Sequence, residues 1–291
     1  MSMTKINWYP GHMKKTKEMI AENMKIIDIV LDIVDARIPL SSKNPEIAKF
    51  AKGKKRIILL NKADLVEKYE LAYWKNYFEE NNSADYVLEV SAETGYNMKA
   101  LFQIIDEVAK EKLERMKKKG LRKVQTRLMI AGIPNVGKSR LINRIVGKKI
   151  TGVGNKPGFT RGKQWVRIKE GLELLDTPGI LWPKFEDQRI GYNLAIAGAI
   201  KDEILPIEEV ASLLIKKMFR YNKSKILQEK YKLTDEDMQE IPEIILDRIA
   251  LRMKMIFSGD RINTKQAALT LLRDYRSKKL GKFGLDKDMS E

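Results

Sequence analysis

The order of hydrophobic and polar positions divides the 291-residue chain into two parts. In the first part, short runs rich in Val, Ile and Leu alternate with longer segments that carry an apolar residue every three or four positions. The runs predict buried parallel strands, and the periodic segments predict helices that cover both faces of a sheet. The expected strands are residues 26–34, 56–60, 86–90 and 128–131, followed by a hairpin of residues 164–168 and 172–175.

The expected helices of the first part are residues 14–24, 67–80, 98–116 and 141–145. After residue 185, β-branched runs become rare and helical periodicity dominates. Pro242 suits the first turn of one helix and Thr264 could cap another. We therefore predict a doubly wound α/β domain over residues 1–185, with its ligand at the carboxyl edge of the sheet, and an all-helical domain over residues 186–291.

The charge and composition of the chain indicate which class of partner it binds. The chain has 56 Lys+Arg against 39 Asp+Glu, a formal net charge of +17, which favours a polyanionic partner such as RNA. Residues 115–123 form a basic run and residues 273–282 a basic tail, so the helical domain is also expected to contact RNA, although solvated lysines on helix faces are the alternative. The chain has no cysteine and no apolar run long enough for a membrane helix, and we do not expect residues 1–25 to act as a signal peptide because they lack an apolar core. We expect a cytoplasmic monomer without membrane contact.

The clearest chemical motif follows the strand expected at residues 128–131. Residues 132–139 read Gly-Ile-Pro-Asn-Val-Gly-Lys-Ser, and G-x4-G-K-S between a strand and a helix is typical of a phosphate-binding loop. Its backbone N–H groups face the phosphates, Lys138 reaches the terminal phosphates as a catalytic group, and Ser139 offers its hydroxyl to Mg²⁺. The nucleotide contacts expected from this region are Asn135, Val136, Gly137, Lys138, Ser139 and Arg140.

A second motif, Asn-Lys-Ala-Asp at residues 61–64, predicts which base is bound. The Asp64 carboxylate can accept from the ring N–H and the amine of guanine, Asn61 can reach N7, and Lys62 can pack along the ring. Adenine has no such donor pair, so GTP and GDP are favoured over adenine nucleotides by about 10⁴-fold or more. The Ser91-Ala92 segment is expected to direct a backbone N–H at the guanine oxygen.

A third motif, Asp-Thr-Pro-Gly at residues 176–179, completes the phosphate site. Asp176 would hold Mg²⁺ through water, and the Gly179 N–H would contact the γ-phosphate. The preceding Gly- and Lys-rich loop offers Thr160 as a catalytic residue that completes the Mg²⁺ shell, with Thr151 as the alternative.

The order of these motifs indicates a circular permutation. Ras-like GTPases begin with the phosphate loop and end with N-K-x-D and S-A, whereas here the last two come first. Residues 8–13 (WYPGHM), 35–39 (DARIP), 132–139 and 176–185 (DTPGILWPKF) also resemble the ribosome biogenesis GTPase A family, known as the YlqF family. The resemblance implies a GTPase that binds the maturing large ribosomal subunit and its rRNA, acts late in assembly and is stimulated by the ribosome.

The sequence departs from Ras-like enzymes at the residue that positions the attacking water. Ile180 stands where those enzymes carry a glutamine. The resemblance suggests His12 as the catalytic substitute, although a histidine that only forms hydrogen bonds beside a turn is the alternative. Asn135 stands where K⁺-activated GTPases carry a metal ligand, so K⁺ is a second cofactor hypothesis beside Mg²⁺.

The sequence also leaves an alternative function open. The same motifs would suit a nucleotide-gated scaffold that binds RNA or protein on another ribonucleoprotein particle, with hydrolysis incidental to its role.

Overall fold

The computed structural model describes residues 12–121, 124–147, 164–177, 185, 187–257 and 261–289, with the backbone alone described at residues 12–17 and 164. Within these residues one six-stranded sheet forms. Its strands are β1 (Ile29–Asp35), β2 (Lys55–Asn61), β3 (Tyr86–Glu89), β4 (Thr126–Gly132), β5 (Gln164–Lys169) and β6 (Leu172–Asp176). The strand order is β3-β2-β1-β4-β6-β5, with all neighbours parallel except β5 and β6, which form the expected antiparallel hairpin.

Helices alternate with the strands and then continue alone. The helices that precede β5 are α1 (His12–Met24), α2 (Pro39–Ser42), α3 (Pro45–Phe50), α4 (Lys68–Glu80), α5 (Met98–Lys117) and α6 (Lys138–Val146). Those that follow β6 are α7 (Gln188–Ala197), α8 (Ile207–Arg220), α9 (Ser224–Tyr231), α10 (Pro242–Arg252) and α11 (Thr264–Arg276). Short 3₁₀ turns cover Ala63–Leu65, Asp202–Ile204, Asp237–Gln239 and Lys287–Met289. Among the helices described, none has the length and apolarity needed to cross a membrane.

The two faces of β2 pack against separate apolar clusters. Ile57 and Leu59 of β2 belong to the larger cluster, whereas Ile58 and Leu60 pack with Trp74 of α4 in the smaller one. Successive side chains of a strand point to opposite faces, so a strand that is covered on both faces needs apolar residues throughout. This explains why β2 is visible in the sequence as a continuous apolar run.

The first strand begins later than predicted. Residues 25 and 26 form a turn, Ile26 is 45% exposed, and β1 starts at Ile29. Two short helices, α2 and α3, follow β1, each with a proline in its first turn, a position where the missing N–H is not needed.

The start of α11 also corrects a sequence assignment. Pro242 occupies the first turn of α10 as expected, but Thr264 is not the cap of α11. The side chain of Asn263 accepts from the backbone N–H of Gln266 and caps the helix instead.

The helices after residue 185 pack directly on the sheet-bearing part. The larger apolar cluster extends from the sheet into α8, α10 and α11. The segment that follows α11 returns to the first part, where the fully buried Asp286 accepts from the Ser41 N–H (2.8 Å) and from Asn193 Nδ2 (2.8 Å). The division into domains at residue 185 stays a prediction.

Candidate nucleotide-binding site

The predicted motifs meet at the carboxyl edge of the sheet. Residue 61 ends β2, residue 132 ends β4 and residue 176 ends β6, and these strands run parallel within one sheet. Parallel strands place their carboxyl ends on one edge, which is where ligands bind in open α/β sheets.

The phosphate loop turns sharply between β4 and α6. Gly132 has a φ of 155° and Gly137 a φ of 102°. A Cβ on Gly132 would lie 2.5 Å from the main-chain oxygen of Ile33, and one on Gly137 would lie 2.4 Å from Asn61 Nδ2. Both positions require glycine because a side chain would be strained by the backbone and would collide with a residue of β1 or β2.

Lys138 lies buried at the start of α6. Its Nζ donates to the main-chain oxygens of Gly132 (3.2 Å) and Ile133 (2.7 Å). Burial lowers the pKa of Lys138 to about 8, an effect that the nearby Asp176 carboxylate opposes. A bound phosphate would favour the charged form in the same way, so the site is suited to an anion.

Asp176 provides a test of whether the site fits Mg²⁺. Asp176 is 1% exposed, and its Oδ1 has no hydrogen-bond partner among the described residues. Burial raises the pKa of Asp176 to about 6, while Lys138 lowers it. A buried carboxylate oxygen without a protein partner, beside the phosphate loop that carries Ser139, fits a hydrated Mg²⁺. When bound, this ion neutralises charge on the phosphate oxygens.

Asn61 joins the guanine-reading loop to the phosphate loop. Its Nδ2 donates to the Val136 oxygen (2.7 Å), 75 residues away, and its Oδ1 accepts from the Ala92 N–H (3.0 Å). The side chain is 1% exposed. One amide therefore holds the loops after β2, β3 and β4 together, a role the sequence did not indicate. The base contacts assigned to Asn61 and Ala92 stay predictions. The Ala92 N–H, which donates to Asn61 Oδ1, would have to be shared between that oxygen and the guanine oxygen.

Ser91 orients the carboxylate expected to read the base. Its Oγ donates to Asp64 Oδ1 (2.6 Å) and accepts from the Thr94 N–H (3.1 Å). Ser91 is fully buried, whereas Asp64 remains partly exposed. The sequence predicts only a backbone contact for this segment. One signal in the sequence could have indicated this role. It is a hydroxyl residue just after a strand, where the neighbouring strand leads into N-K-x-D.

Lys62 is held by a residue outside the motifs that predict the site. Its backbone is left-handed (φ 63°), and its Nζ donates to Asp35 Oδ2 at 2.7 Å. Burial lowers the pKa of Lys62, an effect that Asp35 opposes. In the sequence, residues 35–39 indicate only a family resemblance and not a place in the site.

Two residues of the phosphate-loop region contact elements outside it. Asn135 Nδ2 donates to the Gly198 oxygen (2.7 Å), directly after α7, and Arg140 forms an exposed ion pair with Glu93. The assignments of Asn135 as a K⁺ ligand and of Arg140 as a nucleotide contact stay predictions.

Several expected site residues lie outside the described part of the chain. These are Thr151, Thr160, Gly179 and Ile180. His12 is the first residue of α1, but its side chain is not described. Their predicted roles therefore rest on the sequence.

A phosphate loop that is bonded to N-K-x-D and S-A loops, on a mostly parallel sheet with helices on both faces, defines a P-loop GTPase with a circularly permuted order of motifs. The comparisons with known proteins agree with this class. Residues 127–248 match a family model described as 50S ribosome-binding GTPase, and residues 7–111 match the elongation factor Tu GTP binding domain.

Two similar proteins, both named Ribosome biogenesis GTPase A, identify the family more narrowly. One, from Priestia megaterium, is 43% identical over 290 residues, which cover 98% of each chain. The other, from Bacillus licheniformis, is 41% identical over 285 residues, which cover 97% of this chain and 98% of that one. The chain belongs to the ribosome biogenesis GTPase A family.

A solved structure confirms the fold. The crystal structure of GNP-bound YlqF from T. maritima is similar with a TM-score of 0.62 at 21% identity, and the match covers 93% of this chain and 97% of that one. The permuted GTPase fold expected from the sequence is thus confirmed, and the relatives and family models confirm the expected family and GTPase activity.

Proposed function

We propose that this protein hydrolyses GTP as an assembly factor that binds the maturing large ribosomal subunit, acts late in its assembly and is stimulated by that particle. The observation that carries the proposal is the Asn61 side chain, which joins the guanine and phosphate loops into one site. It lies in a chain 43% identical, over nearly its full length, to a protein named Ribosome biogenesis GTPase A.

The charge of the chain supports a ribosomal partner. A formal net charge of +17 suits contact with rRNA, because neutralised phosphates release counterions and so favour binding. We further propose that the protein acts as a monomer in the cytoplasm, where subunits are assembled.

Each site residue has a proposed task. Asp64 accepts from guanine with Ser91 fixing its direction, and Lys138 contacts the terminal phosphates. Ser139 and Asp176 hold Mg²⁺, joined by Thr160. Main-chain contacts to the nucleotide are assigned to Val136, Gly137, Arg140 and Gly179.

His12 is proposed to orient the attacking water, since Ile180 has no polar group for this task. We expect His12→Ala to lose most of the stimulated hydrolysis while binding of GDP stays unchanged. A K⁺ bound at Asn135 is the second candidate for the missing catalytic charge. Equal hydrolysis rates in K⁺ and Na⁺ would exclude it.

Cosedimentation tests the partner. The protein would be sedimented with large or small subunits in a non-hydrolysable GTP analogue or in GDP. We expect retention on large subunits alone, stronger with the analogue and stronger on immature than on mature particles. Equal retention on both subunits would contradict the proposal and favour another ribonucleoprotein particle.

Hydrolysis rates test the enzyme role. Single-turnover hydrolysis is expected to rise by about tenfold or more when large subunits are added, because a partner can complete a deficient catalytic site. An unchanged rate, together with binding that depends on the analogue, would instead support the nucleotide-gated scaffold.

A further inference from the structure

Three charged side chains lie together where β1 ends, beside the proposed guanine site. We name Asp35, Arg37 and Lys62 the β1-end cluster. Asp35 and Arg37 are each 2% exposed, and the Lys62 side chain is 23% exposed. Charged groups at this depth remain charged only when partners replace their water.

Asp35 is the centre of the cluster because its oxygens receive bonds from both cations. Its Oδ1 accepts from the backbone N–H and Nε of Arg37 (3.1 and 3.0 Å), and its Oδ2 accepts from Arg37 Nη2 and Lys62 Nζ (each 2.7 Å). Burial alone would raise the pKa of Asp35, but Arg37 and Lys62 outweigh burial and hold the pKa well below its ordinary value. The two cations therefore favour the ionised form of Asp35.

Arg37 connects this carboxylate to the helices after residue 185. Its Nη2 also donates to the Ala197 oxygen (3.2 Å) at the end of α7, and the guanidinium lies 5.4 Å from the centre of the Tyr275 ring. The Arg37 oxygen accepts from the Leu285 N–H (2.7 Å). Three separate segments of the helical part thus hold Arg37 in place, and Arg37 in turn holds Asp35.

Lys62 needs such a support. A lysine side chain has four rotatable bonds, and holding it in one position costs about 2 kcal/mol of side-chain conformational entropy. A partner that holds it before the ligand arrives reduces this cost at binding. Asp35 is the carboxylate that bonds to Lys62 Nζ in the described structure.

We propose that Asp35 is a positioning residue of the guanine site, which holds the Lys62 side chain in place for the base while Arg37 anchors Asp35 to the helical part. The inference rests on the proposed guanine contact of Lys62. It adds to the site two residues outside the N-K-x-D, S-A and phosphate-loop motifs.

The test is the rate at which the full-length protein releases a fluorescent GDP, measured by stopped flow. We expect Asp35→Asn and Lys62→Met each to accelerate release by about tenfold, since a bond between charged groups is lost. If Asp35 acts through Lys62, the double variant should release GDP no faster than Lys62→Met alone. A purely structural role of Asp35 would give additive effects.

Asp28 provides a matched control at the opposite end of β1. It also binds a lysine, Lys112 (2.6 Å), and accepts from the Arg127 N–H (2.9 Å). Asp28→Asn should leave GDP release within about twofold of wild type, because its ion pair lies far from the carboxyl edge.

Asp35→Asn leaves Arg37 buried without its counter-ion, so Asp35→Asn/Arg37→Met tests the same point without an unpaired guanidinium. Thermal unfolding establishes which variants are folded.

Unchanged release of GDP by a folded Asp35 variant, or additivity with Lys62→Met, would overturn the inference. So would failure of both Asp35 variants to fold while Asp28→Asn folds, because Asp35 would then act on the whole fold. Failure of wild type to bind GDP would instead overturn the proposed function.

Discussion

The middle of β1 buries Asp32 and its carboxyl end buries Asp35. The pKa of Asp32 lies above that of an ordinary aspartate, whereas the pKa of Asp35 lies below it. Burial raises the pKa of Asp32 to about 6, and Arg56 only partly opposes it. Neither oxygen of Asp32 has a hydrogen-bond partner among the described residues, and Arg56 Nε lies 3.6 Å away. At Asp35, by contrast, the charges of two close cations outweigh burial and lower the pKa.

Position along the strand explains the difference. In mid-strand the neighbouring backbone N–H groups are used by the sheet, so Asp32 is surrounded mainly by side chains of the pleated surface. At the strand end, loops turn back and bring N–H groups and cations to Asp35. Burial therefore destabilises the charged form of Asp32 in mid-strand. At the strand end, the partners of Asp35 outweigh the same burial and form an ordered polar site.

The largest expected effect separates activity from stability. We expect Lys138→Ala at the carboxyl edge to reduce kcat/KM for GTP by about 100-fold or more, because it removes the charge that we propose to contact the terminal phosphates. Stability should change little, since burial already disfavours the charged lysine. Phosphate release and urea unfolding measure the two quantities.

The matched control is Lys112→Ala at the other edge of the sheet, where Lys112 pairs with Asp28. It should lower the free energy of unfolding by about 1–3 kcal/mol and leave kcat/KM near wild type. Similar kinetic losses in both variants would contradict the assignment of function to the carboxyl edge.

The two aspartates should also differ in the pH dependence of stability. Asp32 has a folded pKa of about 6, above the ordinary 3.8, so it binds a proton more readily in the folded state. Its contribution to the free energy of unfolding therefore rises as pH falls from about 7 to 4, by up to about 3 kcal/mol. Asp32→Asn should be more stable than wild type at pH 7–8 and lose this advantage by about pH 4.

Asp35→Asn should show the reverse. Its folded pKa lies below the ordinary value, so the stability that Asp35 contributes is present above pH 4 and is lost only at lower pH. Urea unfolding across this range measures both variants against wild type. The comparison fails if both substitutions shift stability in the same direction at pH 7.

Two left-handed glycines test how closely the loops at the carboxyl edge fit. A Cβ on Gly137 would collide with Asn61, whereas a Cβ on Gly147 at the end of α6 would meet nothing within 4 Å, although its φ is 69°. Gly137→Ala should therefore weaken GDP binding by about tenfold and destabilise the protein by about 1–3 kcal/mol. Gly147→Ala should cost about 1 kcal/mol and leave GDP affinity unchanged. Equal affinities in the two variants would show that the contact with Asn61 does not matter for the site.

The sequence was most informative where structure depends on near neighbours. Short runs rich in Val, Ile and Leu located the six strands of the described sheet, and the spacing of Gly132, Gly137 and Lys138 located the phosphate loop, because these signals lie within a few residues. The start of β1 was missed because Ile26 looks like the strand residues that follow it, although it lies in a turn.

The contacts that complete the site could not be read in this way. Asn61 and Val136 are 75 residues apart, and Arg37 and Ala197 are 160 residues apart, so both bonds depend on how the chain folds back. The opposite states of Asp32 and Asp35 are equally invisible in the sequence, since each is an aspartate at the side of apolar residues. Burial acts on both carboxyl groups, and the nearby cations decide the difference between their pKa values. Arg37 is close to Asp35 in sequence, but Arg56 lies in β2 and Lys62 directly follows it, so the folded chain has to bring them to β1.

The smallest expected effect extends the comparison to an exposed charge. Arg140 and Glu93 form an ion pair with side chains 47% and 57% exposed. Such a pair neither loses its water, as Asp32 does, nor gains converging partners, as Asp35 does. Arg140→Ala and Glu93→Ala should each change the free energy of unfolding by at most about 1 kcal/mol, with a coupling that disappears in high salt. GDP affinity should stay within about twofold because the Arg140 main-chain N–H at the start of α6 is retained. A larger loss of affinity in Arg140→Ala than in Glu93→Ala would show that the guanidinium itself contacts the nucleotide.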